Sequence, residues 1–372
     1  MKRILLVATS SWAGMGPYAS EIVNCFNKCD NVYFFLVEDE RHYFSKNILL
    51  DIKEKGTIIY RQNSRINKLK DLFCPSHNIT KQLNDICREK NISVIHFLTS
   101  EVPYYKTIIH LQKLYKVFFT VHDLFPHESK KIFYKEFRQN LMYKRLYKIR
   151  NSVDNLVTNS HHQYKILQNL YPQKNIFYFE FPSLINNTIL DGTLQPKELK
   201  GIDNYILFFG RVELYKGIDL AYDVFCNYDM PKNTKLVIAG SGDLYFQRNI
   251  SKEKNIIFIN RYIKDEEIAY LFEHSIITLY PYKSATQSGV LSLSCYYGKP
   301  IIASDVSYFK VVESNELGLN FKSNNKESLH ETLIKMLTKI DLEQISRNQR
   351  EFYKQNYSKY SLRKSLLEIY NK

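Results

Sequence analysis

Two cations in the stretch FFGRVELYKG (208–217) could bind one anion together. Arg211 follows a glycine directly after an apolar run, and Lys216 precedes the glycine that opens a helical pattern. A guanidinium fork, a point cation and the positive end of a helix all favour a phosphate or diphosphate. The alternative is a pair of solvated basic side chains in a loop. Because strand, Gly210 and helix follow in the expected order, we predict an anion site here.

Two further stretches could offer main-chain N–H groups to the same anion. VIAGSGDLY (237–245) has Gly240 and Gly242 after an apolar run, where glycine permits close backbone approach, although any strand-to-helix turn favours glycine. KSATQSGVLSLSCYYGKP (283–300) has a polar loop before a helix, and the start of a helix binds phosphate without a carboxylate. The loop residues of interest are Thr286, Gln287, Ser288, Gly289 and Val290.

The first half of the chain also places polar residues after apolar runs. Strand ends in parallel sheets share one edge, so residues in FFTVHDLFPHE (118–128), ATSSWAGMGPYASEI (8–22) and TNSHH (158–162) would lie together. Tight turns and hydrogen-bonded structural histidines are the alternatives. The candidates are Gly14, Gly16, His122, Asp123, Ser160 and, less strongly, His161.

The second half resembles the C-terminal domain of glycosyltransferase family 4, retaining enzymes of the GT-B fold. The similarity is dense over about residues 205–306, in the GR…KG pair, the AGSG turn, IKDEEIAYLFEHSIITLYP and GKPIIASD. By this resemblance Arg211 and Lys216 hold the diphosphate of a UDP-, GDP- or ADP-sugar. The loop 286–290 presents amides to the distal phosphate. The RYIK turn, with Arg261, Tyr262 and Ile263, lies beside the base.

The resemblance also implies roles in the first half and a reaction. Gly14 and Gly16 close over the transferred sugar and the acceptor, and His122 contacts the donor sugar. The catalytic residues would be His122, Arg211 and Lys216. The anomeric configuration is retained as the leaving phosphate helps to deprotonate the acceptor hydroxyl, and cations stabilise its charge. No metal ion and no cofactor are expected.

One departure from the family concerns a pair of glutamates eight residues apart. Counting back from Gly298, these positions hold Ala285 and Leu293. In the family the first glutamate touches the donor sugar and the second typically touches the ribose. A branch of the family resembles this chain in having ATQSGV there, so we expect an active enzyme in which Gln287 and Ser288 contact the phosphate or sugar.

The elements that must position these residues alternate between strand and helix patterns, which is typical of parallel sheets. We predict a GT-B fold of two Rossmann-like, doubly wound α/β domains facing across a cleft, with a C-terminal helix crossing back to the first. The predicted domains are an acceptor-binding domain (1–185), a nucleotide-sugar-binding domain (186–345) and the final helix (346–372). In the first domain the predicted strands are 3–8, 32–37, 56–60, 94–98, 116–121, 155–159 and 176–180, and in the second 205–210, 235–240, 255–260, 276–281 and 299–304.

Charge and composition narrow the class of partner. The chain of 372 residues has a net charge of +14, and residues 1–190 hold 27 basic against 16 acidic residues. The first half is therefore expected to face an anionic partner. Six scattered cysteines without metal-ligand spacing fit a reducing compartment, and no apolar run reaches the ~20 residues that cross a bilayer. We find no nucleic-acid-binding motif.

The segment 130–150 is basic and aromatic at helical spacing, so it could be a helix lying on an anionic membrane surface. A core-facing helix with a solvated basic side is the alternative. Its basic residues are Lys130, Lys131, Lys135, Arg138, Lys144, Arg145, Lys148 and Arg150.

These observations favour a retaining glycosyltransferase that acts on a saccharide or lipid-linked acceptor in surface-polysaccharide or glycolipid synthesis. Its expected location is cytoplasmic, peripheral at the inner face of the membrane. A non-catalytic partner or scaffold subunit remains the alternative because both glutamates are missing. An epimerase is disfavoured, since no acid/base pair of carboxylates could be assigned.

Overall fold

The computed structural model describes residues 2–11, 14–62, 64, 77–124, 133–231, 234–285 and 288–372. They form two compact units. The first comprises Met1–Pro182 together with Lys359–Lys372, and the second comprises Ser183–Ser358.

The first unit is built on a seven-stranded parallel sheet with the strand order β3-β2-β1-β4-β5-β6-β7. The interior strand β1 pairs Ile4 with Val32 on one side and with Val94 on the other. All five of its residues are buried, as expected for a strand that helices cover on both faces. The strands are β1 (Ile4–Ala8), β2 (Val32–Glu38), β3 (Gly56–Tyr60), β4 (Val94–Phe97), β5 (Lys116–Thr120), β6 (Asn155–Thr158) and β7 (Asn175–Tyr178).

Helices connect these strands. In α4 the apolar residues Ile79, Leu83 and Ile86 recur at helical spacing, and all three are buried against the sheet. The described helices in this part of the chain are α1 (Met15–Asn24), α2 (Tyr43–Asn47), α3 (Leu50–Lys53), α4 (His77–Glu89), α5 (Tyr105–Leu111), α6 (Phe133–Ser152) and α7 (His161–Leu170).

The second unit is built on a six-stranded parallel sheet with the order β10-β9-β8-β11-β12-β13. Alternate residues of β8 enter two different cores: Ile206 and Phe208 pack on one face, and Tyr205 and Leu207 pack on the other. The strands are β8 (Tyr205–Phe209), β9 (Leu236–Ala239), β10 (Ile256–Ile259), β11 (Ser275–Tyr280), β12 (Ile301–Ser304) and β13 (Gly318–Phe321).

The helices of the second unit cover both faces of this sheet. They are α8 (Asn187–Leu190), α9 (Ile218–Asn227), α10 (Asp265–Glu273), α11 (Val290–Tyr297), α12 (Lys310–Ser314), α13 (Lys326–Lys339) and α14 (Leu342–Asn356). The segment predicted as one final helix is divided in two. α14 belongs to the second unit, and α15 (Lys359–Asn371) belongs to the first.

A buried tyrosine fixes α15 to the first sheet. The Tyr370 hydroxyl lies 2.6 Å from Nδ1 of His96 on β4, and His96 Nε2 lies 2.9 Å from the Thr120 hydroxyl on β5. The Tyr370 ring also meets Phe118 edge-on, at 5.3 Å between ring centroids. Burial lowers the pKa of His96 to about 3, so the imidazole is neutral at physiological pH.

The predicted fold class is confirmed, since both units are doubly wound parallel sheets. The short strand β13 was missed because GLNF carries one asparagine and one glycine among four residues. Among the described residues no helix has the length and apolar character to cross a bilayer. In the same residues, no three His, Cys, Asp or Glu side chains converge in a way that could hold a metal ion.

Candidate functional site

A buried lysine lies at the carboxyl end of β8. The backbone of Gly210 has a φ of +140°, and a Cβ atom there would lie 2.7 Å from Lys216 Nζ. Lys216 is only 9% exposed, and its ammonium lies 5.3 Å from the centre of the Tyr282 ring. Within the described part of the chain, no carboxylate or other acceptor pairs with this ammonium. A buried charge without a partner is unfavourable, so this site favours an anionic ligand.

A tight turn places Lys216 at the strand end. Leu214–Lys216 form one turn of 3₁₀ helix, and Gly217 ends it in the left-handed conformation with a φ of +64°. A Cβ atom on Gly217 would lie 1.9 Å from the Pro281 carbonyl oxygen, so only glycine fits. The Lys283 N–H donates to the Tyr215 carbonyl at 2.7 Å and joins this turn to the segment after β11.

Arg211, the second predicted cation, is placed differently. Its guanidinium pairs with Glu213 at 3.1 Å, and its side chain is 53% exposed. The start of α9 carries its own carboxylate, Asp219, which pairs with Lys283 at 2.8 Å. The Asp219 N–H donates to the Tyr245 hydroxyl at 3.3 Å. The uncompensated positive charge at this edge therefore comes from Lys216 rather than from Arg211 or the helix.

The glycine turn after β9 packs against the turn after β8. The N–H of Gly210 donates to the Ala239 carbonyl at 3.0 Å, and the N–H of Val212 donates to the Ser241 carbonyl at 2.9 Å. Cβ atoms on Gly240 and Gly242 would lie 2.0 Å from the Gly210 carbonyl oxygen and 2.3 Å from that of Val212. This contact accounts for both glycines without a ligand.

The loop before α11 is described only in part, because Thr286 and Gln287 lie outside the described residues. Gly289 is the N-cap residue of α11 and packs against the Leu184 side chain. The Ser288 carbonyl accepts a hydrogen bond from the Tyr308 hydroxyl at 2.9 Å. The N–H groups of Gly289 and Val290 meet no acceptor in the described part of the chain, as is usual for the first N–H groups of a helix.

The two positions where the family has glutamate are apolar and packed. Leu293 is 1% exposed and belongs to a core cluster with Ile263 and Leu271. Ala285 packs against the other core of the second unit. A carboxylate at 293 would be buried among hydrocarbon side chains.

The RYIK turn has an ion-paired arginine. The Arg261 guanidinium lies between Glu198, at 3.1 Å, and Glu267, at 2.6 Å. Hydrogen bonds from Arg261 hold the pKa values of both carboxyls below their usual range. Tyr262 is 71% exposed, whereas Ile263 is buried. Of the three side chains, only that of Tyr262 projects openly from the turn.

In the first unit His122 follows β5 and is buried. Its Nε2–H donates to the Leu98 carbonyl at 2.7 Å, and its ring meets the Tyr18 ring edge-on at 4.8 Å between centroids. Burial lowers the pKa of His122, so the ring is neutral at physiological pH. The histidine is therefore held in one orientation and one tautomer.

Gln163 on α7, which the sequence analysis did not single out, holds the backbone around Asp123. Its side-chain amide donates to the His122 carbonyl at 2.7 Å and accepts from the Leu124 N–H at 2.7 Å. Ser160, a predicted substrate-binding residue, caps α7 by accepting from the Gln163 N–H at 3.4 Å. His161 stacks on the Tyr178 ring at 3.8 Å between centroids.

Glu101, also missed from the sequence, lies just after β4 with a φ of +38°. One carboxyl oxygen accepts from the N–H groups of Thr9 at 3.2 Å and Thr99 at 3.0 Å. Its other oxygen is buried with no partner among the described residues. Burial raises the pKa of Glu101 to about 8. An acid four residues beyond the end of a buried strand was the available signal.

The glycine loop after β1 is described on either side of residues 12 and 13. A Cβ atom on Gly14 would meet nothing within 4 Å. One on Gly16 would lie 2.8 Å from the Tyr43 ring, so packing requires this glycine. Of the two glycines, Gly14 is the one whose Cβ position is clear of the described residues.

Residues 133–150 of the basic segment lie in α6, and residues 130–132 lie outside the described part of the chain. Arg150, predicted to lie on the basic face, is in fact buried and donates to the Leu124 carbonyl at 3.1 Å. Ile149 packs into the core of the first unit. Lys144 and Lys148 are exposed. The last turn of α6 thus faces the core, and Arg150 does not belong to an exposed basic face.

Comparison with known proteins agrees with this architecture. Residues 193–352 match the family model Glycosyl transferases group 1. The matched residues lie within the second unit. A curated relative, the D-rhamnosyltransferase WbpZ of Pseudomonas aeruginosa, is 30% identical over 108 residues, and the alignment spans 27% of each chain.

Solved structures resemble the whole chain. Anabaena HepE in complex with UDP superposes with a TM-score of 0.70 at 14% identity and 100% coverage of both chains. Sucrose-phosphate synthase from Thermosynechococcus elongatus gives a TM-score of 0.69 at 14% identity, covering 100% of this chain and 98% of that one. The lipopolysaccharide outer core galactosyltransferase WaaB gives 0.60 at 15% identity and 99% coverage of both. The chain therefore has the GT-B fold of these glycosyltransferases.

Proposed function

We propose that the protein is a retaining glycosyltransferase of the family 4 type. It moves a sugar from a nucleoside-diphosphate sugar to a saccharide or lipid-linked saccharide in surface-polysaccharide or glycolipid synthesis. The observation that carries this proposal is the buried ammonium of Lys216 at the end of β8, without a counter-ion among the described residues. The glycosyl transferases group 1 domain supports it, as do structural neighbours that bind UDP and UDP-glucose.

The donor diphosphate lies over Gly210 in this proposal. Lys216 pairs with the distal phosphate. The N–H groups of Gly289 and Val290, which meet no acceptor among the described residues, donate to the same group. Arg211 is half exposed and can leave Glu213 for a phosphate, because an exposed ion pair contributes only ~0–1 kcal/mol. The exposed Tyr262 ring offers a surface for the nucleotide base.

The chemistry relies on charge stabilisation at the leaving phosphate. When the glycosidic bond to phosphate breaks, negative charge grows on the diphosphate, and a fixed ammonium stabilises that charge more in the transition state than in the ground state. The leaving phosphate takes the proton of the acceptor hydroxyl, which attacks from the same face. A neutral, oriented His122 contacts the transferred sugar by hydrogen bonding.

A panel of UDP-, GDP- and ADP-sugars, incubated with the protein and analysed for released nucleotide, tests the proposal. At least one donor should be turned over by the wild type, and Lys216→Ala should lower the rate ~100-fold or more. Lys326→Ala is the matched control, since this surface lysine already pairs with Asp223. Wild-type turnover by Lys216→Ala would contradict the proposal.

A second function is favoured by one observation, the packing of Leu293 and Ala285 where the family has glutamates. In that case the protein would be a non-catalytic partner subunit that keeps the GT-B fold. Two measurements distinguish a partner subunit from an enzyme. In calorimetry, a partner subunit binds none of the nucleotide sugars. If it does bind one, it does not turn it over in the presence of saccharide and lipid-linked acceptors.

We also propose that α6 brings the protein to an anionic membrane surface on the cytoplasmic side. Lys144 and Lys148 are exposed, and the Arg145 guanidinium lies 5.1 Å from the centre of the Tyr105 ring. Vesicles with anionic lipid should retain the wild type and lose it at high salt, because screening weakens the attraction. Lys144→Glu combined with Lys148→Glu should reduce retention, and equal retention on neutral vesicles would contradict the proposal.

A further inference from the structure

The hydroxyl group of Tyr282 is buried beside Lys216 and has no hydrogen-bond partner among the described residues. Tyr282 is 1% exposed. Its hydroxyl oxygen lies 4.0 Å from the position of a Cβ atom on Gly210, and Lys216 Nζ lies 2.7 Å from that same position. Two polar groups with unused donors therefore flank one glycine at the end of β8.

The Tyr282 ring is held so that its hydroxyl cannot turn to solvent. The ring meets Phe309 edge-on at 5.1 Å and Tyr280 edge-on at 6.0 Å between centroids. A third edge-on contact, at 6.0 Å, comes from Tyr215 in the turn that carries Lys216. The Tyr282 carbonyl accepts from the Ser304 hydroxyl at 2.6 Å, which fixes the backbone.

Tyr280, two residues earlier, shows the usual outcome for a buried tyrosine. Its hydroxyl lies 2.7 Å from the Ser294 hydroxyl, inside the core. A buried hydroxyl without such a partner costs about 1–3 kcal/mol, which a phenylalanine would avoid. The Tyr282 hydroxyl therefore calls for an acceptor that the described residues do not supply.

The neighbouring ammonium decides which acceptor fits. A sugar hydroxyl could accept from Tyr282, but it would leave the charge of Lys216 uncompensated. A phosphate group offers several oxygens, so it can accept from the phenol and the ammonium together. We propose that Tyr282 is a further donor-binding residue, whose hydroxyl donates to the distal phosphate of the nucleoside diphosphate held by Lys216. This inference rests on the proposed function.

Calorimetric titration with UDP, GDP and ADP, and with the matching monophosphates, tests the assignment. Tyr282→Phe keeps the ring contacts and removes one donor to a charged group, so the Kd for the diphosphate should rise roughly 10- to 100-fold. The Kd for the monophosphate, which lacks the distal phosphate, should not change. Tyr280→Phe is the matched control and should bind both nucleotides as the wild type does.

Thermal unfolding is a second measurement, and it distinguishes a ligand-binding role of Tyr282 from a structural one. Tyr282→Phe should leave the Tm of the nucleotide-free protein unchanged or raise it, whereas Tyr280→Phe should lower it by removing a satisfied hydrogen bond. Loss of diphosphate binding together with a lower Tm would make Tyr282 a structural residue and overturn the inference.

The binding outcomes distinguish the inference from the proposed function. If Tyr282→Phe binds diphosphates like the wild type while Lys216→Met does not, the inference fails and the proposed function stands. If Tyr282→Phe weakens monophosphates as much as diphosphates, the assignment to the distal phosphate is wrong. If the wild type binds no nucleoside diphosphate, the proposed function fails and the inference fails with it.

Discussion

Lys216 Nζ lies over the α-carbon of Gly210, at a place where a Cβ atom would be 2.7 Å away. The glycine and the lysine are six residues apart, and the tight turn ending at Gly217 brings them together. The missing side chain of Gly210 therefore leaves room for the ammonium of Lys216.

Gly210→Ala should therefore displace the lysine. The added methyl group would move the flexible end of Lys216, and we expect the Kd for a nucleoside diphosphate to rise about tenfold or more by calorimetry. Gly201→Ala is the control, since Gly201 also has a positive φ, +74°, but nothing lies within 4 Å of its Cβ position. Gly201→Ala should lose ~1–2 kcal/mol of stability from its left-handed backbone, and Gly210→Ala, at a φ of +140°, should lose at least as much. Equal nucleotide affinity in the two would contradict the role of Gly210.

The hydrogen bonds of the Gln163 side chain to the His122 carbonyl and the Leu124 N–H predict an effect on kcat. Gln163→Glu keeps the shape but loses the N–H donor to the His122 carbonyl, so the histidine should shift. Because small misplacement of a reacting group is costly, kcat should fall roughly 10- to 100-fold while KM for the donor changes little.

Gln168→Glu, on the same helix α7 but at an exposed position, is the control for the added charge. A rise in donor KM with an unchanged kcat would show that Gln163 does not act through His122.

The buried Glu101 predicts a specific pH dependence of stability. Its pKa rises from an ordinary 4.5 in the unfolded chain to about 8 in the fold, so the folded state binds more protons between these values. Its contribution to stability is therefore complete below about pH 4.5 and is lost as the pH rises towards 8, at up to ~1.4 kcal/mol per pH unit.

Glu101→Gln mimics the neutral acid and should lack this slope. Urea unfolding from pH 5 to 8.5 measures it, and the wild-type curve minus the variant curve isolates Glu101 from other buried carboxyls such as Glu21. Parallel curves would mean that the carboxyl of Glu101 is ionised in the folded protein throughout this range.

A glutamate at position 293, where the sequence resemblance to family 4 places one, should harm the protein. Leu293 is buried in an apolar cluster, so Leu293→Glu would bury an unpaired carboxylate and lower the free energy of unfolding by about 3–5 kcal/mol. Leu293→Met, of similar volume, should cost less than ~1.5 kcal/mol. Denaturant unfolding compares the two. A stable Leu293→Glu variant with tighter nucleotide binding would show that the position can reach the ribose.

Much of the fold followed from local sequence. Buried parallel strands are continuous apolar runs, and RILLVA and YILFFG are such runs. The position of Lys216 at a strand end was equally local, because strand, glycine, lysine and glycine lie within thirteen residues. The strand β13 was missed because its pattern is too short and too polar.

The contacts that define the site depended on residues far apart in the chain. The ion pair of Arg261 with Glu198 spans 63 positions, and the bond between Gln163 and the His122 carbonyl spans 41. In the sequence Tyr282 is one of many aromatic residues near strand ends. Nothing in the sequence shows whether a buried hydroxyl has a hydrogen-bond partner. Such pairings appear only when the sheets bring distant segments together.

A crystal structure of the protein with a bound nucleoside diphosphate, UDP first and then GDP or ADP, tests the central claim most directly. We predict that an oxygen of the distal phosphate lies within hydrogen-bond distance of Lys216 Nζ, above Gly210. A diphosphate bound elsewhere, with no phosphate oxygen near Lys216, would contradict the account.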